Sequence, residues 1–213
     1  MRTKKKPGEL ERPTFIEAAR RAQIIACAIH TIATLGYARA SLAEIARCAD
    51  TSKSVISYHF AGKDDLIRQT VATIVGEGTA FIQARIAAES TAPGMLRTYI
   101  EGNIAFMRSH REHMVALVEI FTGFRGEDGT PLMDPATVAE SLAPLGRLLA
   151  LGQERGDFRR FSAHVMAATV RSAIDAIPPQ LVLNPALDLD AYAQELTALF
   201  AAATAAPAEG AAK

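Results

Sequence analysis

The sequence predicts an all-α fold, and three observations carry that prediction. Alanine and leucine are abundant, alternating strand patterns are missing, and most glycines and prolines fall between segments with helical periodicity. The chain has 213 residues, 49% of them hydrophobic and 22% charged, which is typical of a globular protein with one large domain or two smaller ones. No apolar run approaches the length of a membrane span and no signal-peptide pattern follows the basic start. We therefore expect a cytoplasmic protein with no membrane partner.

The first predicted helix covers residues 15–35. Ile24, Ala28 and Ile32 recur at helical spacing and mark one buried face. Gly36 follows, and a glycine in the left-handed conformation is a common end for a helix. This helix is long enough to brace the shorter helices that come next.

Two short helices are predicted after it. Ser41 and Glu44 have the S-x-x-E spacing of a capping box, which indicates the start of a second helix. Asp50 lies in the following turn, where Asp tolerates positive φ, and Ser52 can cap a third helix that ends near His59. Because isolated helices this short are marginal, they must share a core with the first helix. Helix, tight turn and helix together predict a helix-turn-helix arrangement.

The rest of the chain is predicted to be a larger helical body. Gly62 breaks the chain before it, and acidic residues in the next turn favour a helix start. Helices are predicted at residues 64–89, 93–109, 111–122, 135–155, 163–176 and 189–203.

Charge is unevenly distributed, although the formal net charge is zero. Residues 1–63 contain eleven Lys and Arg against five Asp and Glu, a net charge of +6, which leaves −6 for the remainder. A basic end joined to an acidic body suggests that the first part meets a polyanion.

The third helix has a composition that suits a DNA major groove, which admits one helix. Ser54 and Ser57 are short and allow close approach, and Lys53 can reach base edges or a phosphate. Other side chains around this helix have donors for the sugar-phosphate backbone. The predicted DNA-contacting residues are Ser41, Ser52, Lys53, Ser54, Ser57, Tyr58, His59 and Lys63, and the family resemblance described next adds Val55.

Three segments carry a family resemblance: "GYARASLAEIA", "SKSVISYHF" and "GKDDL". Together they resemble the DNA-binding domain of the TetR family of transcriptional regulators. The resemblance implies an all-helical homodimer with an N-terminal three-helix DNA-binding domain and a C-terminal ligand-binding and dimerisation domain. It departs from the family pattern at Asp50, which replaces a turn glycine, at Ser57, where an aromatic residue is common, and at Ala43, where a long polar residue often stands.

The resulting division has four parts. Residues 1–14 form a basic flexible arm, which enters an adjacent minor groove or remains a disordered tail. Residues 15–62 form the helix-turn-helix domain, residues 63–205 form the ligand-binding and dimerisation domain, and residues 206–213 form a disordered tail. We expect the protein to bind double-stranded DNA with a palindromic operator, a small-molecule effector and a second copy of itself.

Two further residue sets are predicted in the body. Aromatic residues, methionines and a few polar groups suit a mostly apolar ligand; the predicted pocket is Tyr99, Asn103, Phe106, Met107, His110, Met114, Leu117, Phe121 and Arg171. Alanine-rich helices with large apolar residues suit a four-helix interface; the predicted interface is Val165, Met166, Val170, Ile174, Leu196, Leu199 and Phe200.

Several alternatives accompany these predictions. His110 and His113 form H-x-x-H, but structural zinc needs four ligands, so we predict no metal and no cofactor. Cys27 and Cys48 are either a redox pair or two reduced thiols. Enzyme motifs such as G-x-S-x-G and the P-loop are missing, so we expect no enzyme activity. The leading interpretation is a repressor released by its ligand. An activator, a ligand-independent DNA binder and a protein-interaction module that has lost DNA binding are the alternatives.

Overall fold

The computed structural model describes residues 15–126, 129 and 132–206. Within these residues the chain forms ten α-helices and no strand, apart from an isolated bridge between Phe158 and Ala205. The predicted all-α fold is confirmed. The helices are α1 (Phe15–Leu35), α2 (Leu42–Cys48), α3 (Lys53–His59), α4 (Lys63–Ile86), α5 (Ala92–Ser109), α6 (Arg111–Gly123), α7 (Pro135–Glu154), α8 (Ala163–Asp175), α9 (Ile177–Leu183) and α10 (Leu189–Thr204).

The predicted arm, residues 1–14, and residues 207–213 of the predicted tail lie outside the described residues. None of the helices in the described ranges is long and apolar enough to span a membrane.

The turns of the N-terminal region are where the sequence predicted them. Gly36 has φ 82° and ends α1, and its Cα approaches the Glu119 carboxylate so closely that a Cβ would lie 3.2 Å from an oxygen. Asp50 has φ 46° in the turn between α2 and α3. Both positions need the left-handed region that glycine and, less readily, aspartate adopt.

The short helices gain their stability from packing on α1. Ile45 of α2 and Ile56 of α3 are completely buried, as is Ile24 of α1. Ala46 and Ala49 are buried as well, and their small side chains let α2 come close to its neighbours. A helix of seven residues is marginal alone, so this shared core positions α3.

The body pairs α7 with α8, α4 with α5, and α5 with α10, while α1 packs against both α4 and α6. The buried residues form one continuous cluster that runs from α1 to α10. The core therefore continues across the boundary predicted between residues 62 and 63.

One predicted helix limit needs correction, and one helix was missed. The helix predicted to end at Glu89 ends at Ile86, and α9 was not predicted at all. Pro178 and Pro179 lie in the first turn of α9. Proline is compatible with that position because backbone N–H groups there have no partner within the helix.

Candidate nucleic-acid interface

Serine caps hold both short helices at their N-termini. The Ser41 side chain accepts a hydrogen bond from the Glu44 backbone N–H at 3.2 Å, and the Ser52 side chain accepts one from the Val55 N–H at 3.3 Å. The predicted capping box is formed only in part, because the Glu44 carboxylate pairs with Arg47 one turn later. Serine hydroxyls used in this way stabilise the helix start and still face solvent.

The outer face of α3 is open and polar. Ser52, Lys53, Ser54 and Ser57 are exposed, Val55 is partly buried, and the opposite face carries the buried Ile56. A helix with short side chains and one long cation on its outer face can lie close to a polyanion in a groove.

Tyr58 and His59 lie at the C-terminal end of this face. The Tyr58 side chain is 74% exposed, its ring meets the His59 ring edge-on at 5.0 Å, and its hydroxyl donates to the Glu17 carboxylate at 3.3 Å. His59 is only partly exposed. Tyr58 is therefore the more accessible of the two donors.

Lys63 is turned toward the protein. Its ammonium group lies 4.5 Å from the centre of the Tyr37 ring and donates to the Tyr37 carbonyl oxygen at 3.3 Å. Burial lowers the pKa of this ammonium group, and the nearby Asp64 carboxylate opposes that shift. A phosphate contact by Lys63 would require the side chain to leave this position.

Arg21 of α1 is a positioning residue that the sequence reasoning missed. Its guanidinium donates to the carbonyl oxygen of His59, at the end of α3, and to the side chain of Gln69 in α4. It also lies 4.6 Å from the centre of the Phe60 ring. A partly buried arginine with three partners on other elements fixes the angle of α3. Nothing in the local sequence distinguishes it from its neighbour Arg20.

Most of the predicted pocket residues are already packed. Phe106, Met107 and Met114 are buried, Leu117 is partly buried, and Phe121 is 51% exposed. Phe121 therefore lies on the open side of α6, and its place in a ligand pocket stays a prediction. None of the nine predicted pocket residues lines either of the two clefts described for this chain.

Three of the predicted pocket residues form a polar cluster between α5 and α8. Arg171 donates to the Asn103 side-chain oxygen at 3.0 Å and to the Tyr99 hydroxyl at 3.4 Å, and it pairs with Asp175 at 2.9 Å. Burial lowers the pKa of the Arg171 guanidinium, but the hydrogen bond and charge of Asp175 outweigh burial and raise it. The cluster places a satisfied cation inside an otherwise apolar body.

The histidines of the predicted pocket region are engaged as well. The His110 ring stacks on Phe106 with centres 4.1 Å apart, and His113 faces the Glu77 carboxylate at 3.3 Å. Glu119, further along α6, accepts a hydrogen bond from the backbone N–H of Tyr37 at 3.0 Å. In the described part of the chain no three metal-ligating side chains are grouped to hold an ion.

The predicted dimer interface divides into two groups. Val165 is 60% and Leu199 58% exposed, so both have surface to offer a partner, and Met166 and Leu196 are partly buried. The remaining three, Val170, Ile174 and Phe200, are buried inside this single chain. Within this chain α7 and α5 pack against α8 and α5 packs against α10, so these three residues have little surface left for a partner, and their place in an interface stays a prediction.

The two cysteines are free and adjacent, on α1 and α2. Burial, together with the contact to the Cys48 thiol, raises the pKa of Cys27 to about 12. A thiol with so high a pKa stays protonated at neutral pH and is a poor nucleophile. The geometry favours the interpretation of two reduced thiols.

The fold and the exposed α3 define a class of protein, a helical DNA-binding regulator with a helix-turn-helix. Residues 24–70 match the family model of the "Bacterial regulatory proteins, tetR family". The chain is 33% identical over 89 residues to the HTH-type transcriptional regulator BetI 1 of Chromohalobacter salexigens, a match that covers 41% of this chain and 44% of that protein. This chain therefore aligns with less than half the length of that relative.

Two solved structures are similar over nearly the whole chain. The regulator FadR from Bacillus subtilis in complex with stearoyl-CoA has a TM-score of 0.75 at 19% identity, and the alignment covers 84% of this chain and 97% of FadR. A putative transcriptional regulator from Saccharomonospora viridis in complex with choline has a TM-score of 0.68 at 19% identity. That alignment covers 88% of this chain and 98% of the other protein. At this identity the likeness concerns the fold. Residues 24–70 carry the match to the tetR family of bacterial regulatory proteins, and the rest of the chain shares the fold of these two structures.

Proposed function

We propose that this regulator is a homodimeric repressor that leaves a palindromic operator when a small, mostly apolar ligand binds. The proposal also places the protein in the cytoplasm, where it has access to chromosomal DNA. The observation that carries it is the outer face of α3, which is polar and open while its inner face is completely buried.

The proposed DNA contacts follow from that face. Lys53, Ser54 and Ser57 approach bases or nearby phosphates, and Ser41 and Tyr58 hold the backbone on either side. Lys63 joins them after release from Tyr37. One seven-residue helix reads few base pairs, so two copies related by a two-fold axis are needed for a specific site.

The proposed interface lies on α8 and α10, where Val165 and Leu199 leave apolar surface exposed. A symmetric four-helix contact would cover both residues and fix the distance between the two copies of α3. A ligand that binds one spacing of these helices better than the other shifts the equilibrium by its differential affinity. The ligands of the two similar structures, stearoyl-CoA and choline, differ widely and leave the ligand of this chain open.

The test uses genomic fragments captured by the purified protein at near-physiological salt. Sedimentation of the free protein and of the protein bound to one captured fragment should give two chains in each case. A reporter placed downstream of that fragment should be less active when the protein is expressed. A single chain per site contradicts the dimer, and a more active reporter identifies an activator.

A further inference from the structure

A cleft of about 450 Å³ lies where the DNA-binding region joins the body, between α1, α4 and α6. Its volume is within the range of small-molecule sites in proteins. One wall is the α1 surface, which is mostly alanine and isoleucine. The opposite wall carries Thr73, Glu77, Glu112 and His113.

The charges of this cleft favour a cation. Glu77 and Glu112 provide two carboxylates, and Arg21 is the one cation among the lining residues apart from the histidine. Arg21 already donates to His59 and Gln69, so it is committed to the protein. With His113 neutral the lining carries a net charge of −1.

The carboxylates have only histidine partners among the described contacts. His113 lies 3.3 Å from Glu77, and His30 lies 2.7 Å from Glu112. Both glutamate side chains are about half exposed, so a bound cation can reach them. In addition, the buried Nδ1 atom of His113 has no hydrogen-bond partner in the described part of the chain. The two half-exposed carboxylates are therefore the groups of this wall that can pair with a bound cation.

We propose that this cleft binds a small amphiphilic organic cation, with its alkyl part against α1 and its ammonium group between Glu77 and Glu112. Binding of a cation in this cleft does not depend on the proposed function, whereas its effect on operator binding rests on it. That effect is expected because Arg21, which lines the cleft, also holds the end of α3. A ligand beside Arg21 disturbs the contact that fixes the end of α3 and thereby weakens operator binding.

The first experiment measures binding to the free full-length protein by calorimetry, without DNA. The probes are hexyltrimethylammonium, 1-hexanol and hexanoate, which share a tail and differ in the charge of the head. We expect hexyltrimethylammonium to bind at least tenfold more tightly than the other two. Equal binding of the three probes, or no binding of hexyltrimethylammonium, overturns the proposal.

Matched variants locate the site. The double variant Glu77→Gln with Glu112→Gln should bind hexyltrimethylammonium at least tenfold more weakly. The control variant, Glu154→Gln with Glu195→Gln at two exposed positions, should bind it with unchanged affinity. Ala22→Phe fills the cleft from α1 and retains both carboxylates. It should also abolish binding, which provides a second test in case the first variant fails to fold. Unchanged affinity in Ala22→Phe contradicts the location.

Operator binding is measured separately by band shift. If the proposed function is wrong, the protein fails to bind a specific DNA site even without a probe, while the calorimetry still reports on the cleft. If the cleft inference is wrong, DNA binds normally and hexyltrimethylammonium has no effect on it.

Discussion

The DNA-binding region and the body place their polar groups in opposite ways. Around α3 the core is apolar, with Ile45 and Ile56 completely buried, and the hydroxyl and amine groups lie outside. In the body, Asn103 is buried and belongs to a cluster with Arg171 and Tyr99. We therefore expect substitutions on the exposed face of α3 to leave folding intact, whereas substitutions in the cluster of Asn103 and Arg171 should lower stability.

The largest expected effect tests the Arg21 contacts, which link α1 to the end of α3 and to α4. Arg21→Met removes the hydrogen bonds to His59 and Gln69 but keeps a long apolar side chain. Because hydrogen bonds from charged donors contribute about 1.5–3 kcal/mol each, we expect the free energy of unfolding to fall by about 3 kcal/mol. DNA affinity should fall roughly 10- to 100-fold, since α3 loses its fixed angle.

Arg20→Met is the matched control for this change. Arg20 is the preceding residue and bonds only to the exposed Gln23 side chain in the described contacts, at 2.9 Å. Denaturant unfolding measures the free energy of unfolding of both variants, and band shifts measure their DNA affinity. Equal effects of the two substitutions would mean that Arg21 acts through charge alone.

A smaller effect is expected inside the body. Asn103→Leu removes the acceptor for Arg171 and the donor to the Tyr99 carbonyl. A buried partner left without its hydrogen bond costs about 1–3 kcal/mol, so thermal unfolding should occur at lower temperature while DNA affinity of the folded protein is unchanged. Gln194→Leu, at an exposed position of α10, should change neither quantity. A loss of DNA affinity in Asn103→Leu would show that the two regions are less separate than we describe.

The serine caps separate folding from DNA contact at one position. Ser41→Ala should lower the free energy of unfolding by about 1 kcal/mol through loss of the cap. Ser41→Asp should restore stability, because aspartate is an equally good cap, but should weaken DNA binding further through repulsion of the phosphates. Urea unfolding and band shifts measure the two quantities. Full recovery of DNA affinity in Ser41→Asp would remove Ser41 from the DNA-contacting set.

The smallest effect is expected in the turn before α3. Asp50 has φ 46°, so Asp50→Gly should relieve strain of roughly 1 kcal/mol and also remove a negative charge near DNA. Asp50→Asn removes the charge and keeps a side chain that tolerates this conformation. Tighter DNA binding by both variants, with higher stability only for glycine, is the expected result. Unchanged DNA affinity in both would place Asp50 away from the phosphates.

The same contrast explains what the sequence could and could not predict. Caps, turn residues and helix starts are local, so α1, α2, α3 and the left-handed Asp50 followed from neighbouring residues. Arg171 pairs with Asp175 at the local i,i+4 spacing. Its other hydrogen-bond partners and those of Arg21 lie 38 to 72 residues away, and no local pattern identifies them. Burial of Val170 and Ile174 likewise depends on which helix covers α8, which helical periodicity alone does not decide.

The most direct test of the central claim is selection of DNA from a random-sequence pool with two proteins. One is the natural chain, and the other carries Lys53→Gln, Ser54→Ala and Ser57→Ala, all at exposed positions of α3. We predict that the natural chain enriches a palindrome with half-sites about one helical turn apart, and that the folded variant loses or changes the half-site sequence. Enrichment of the same palindrome by both proteins, or of none by the folded natural chain, would contradict the assignment of α3 as the DNA-reading helix.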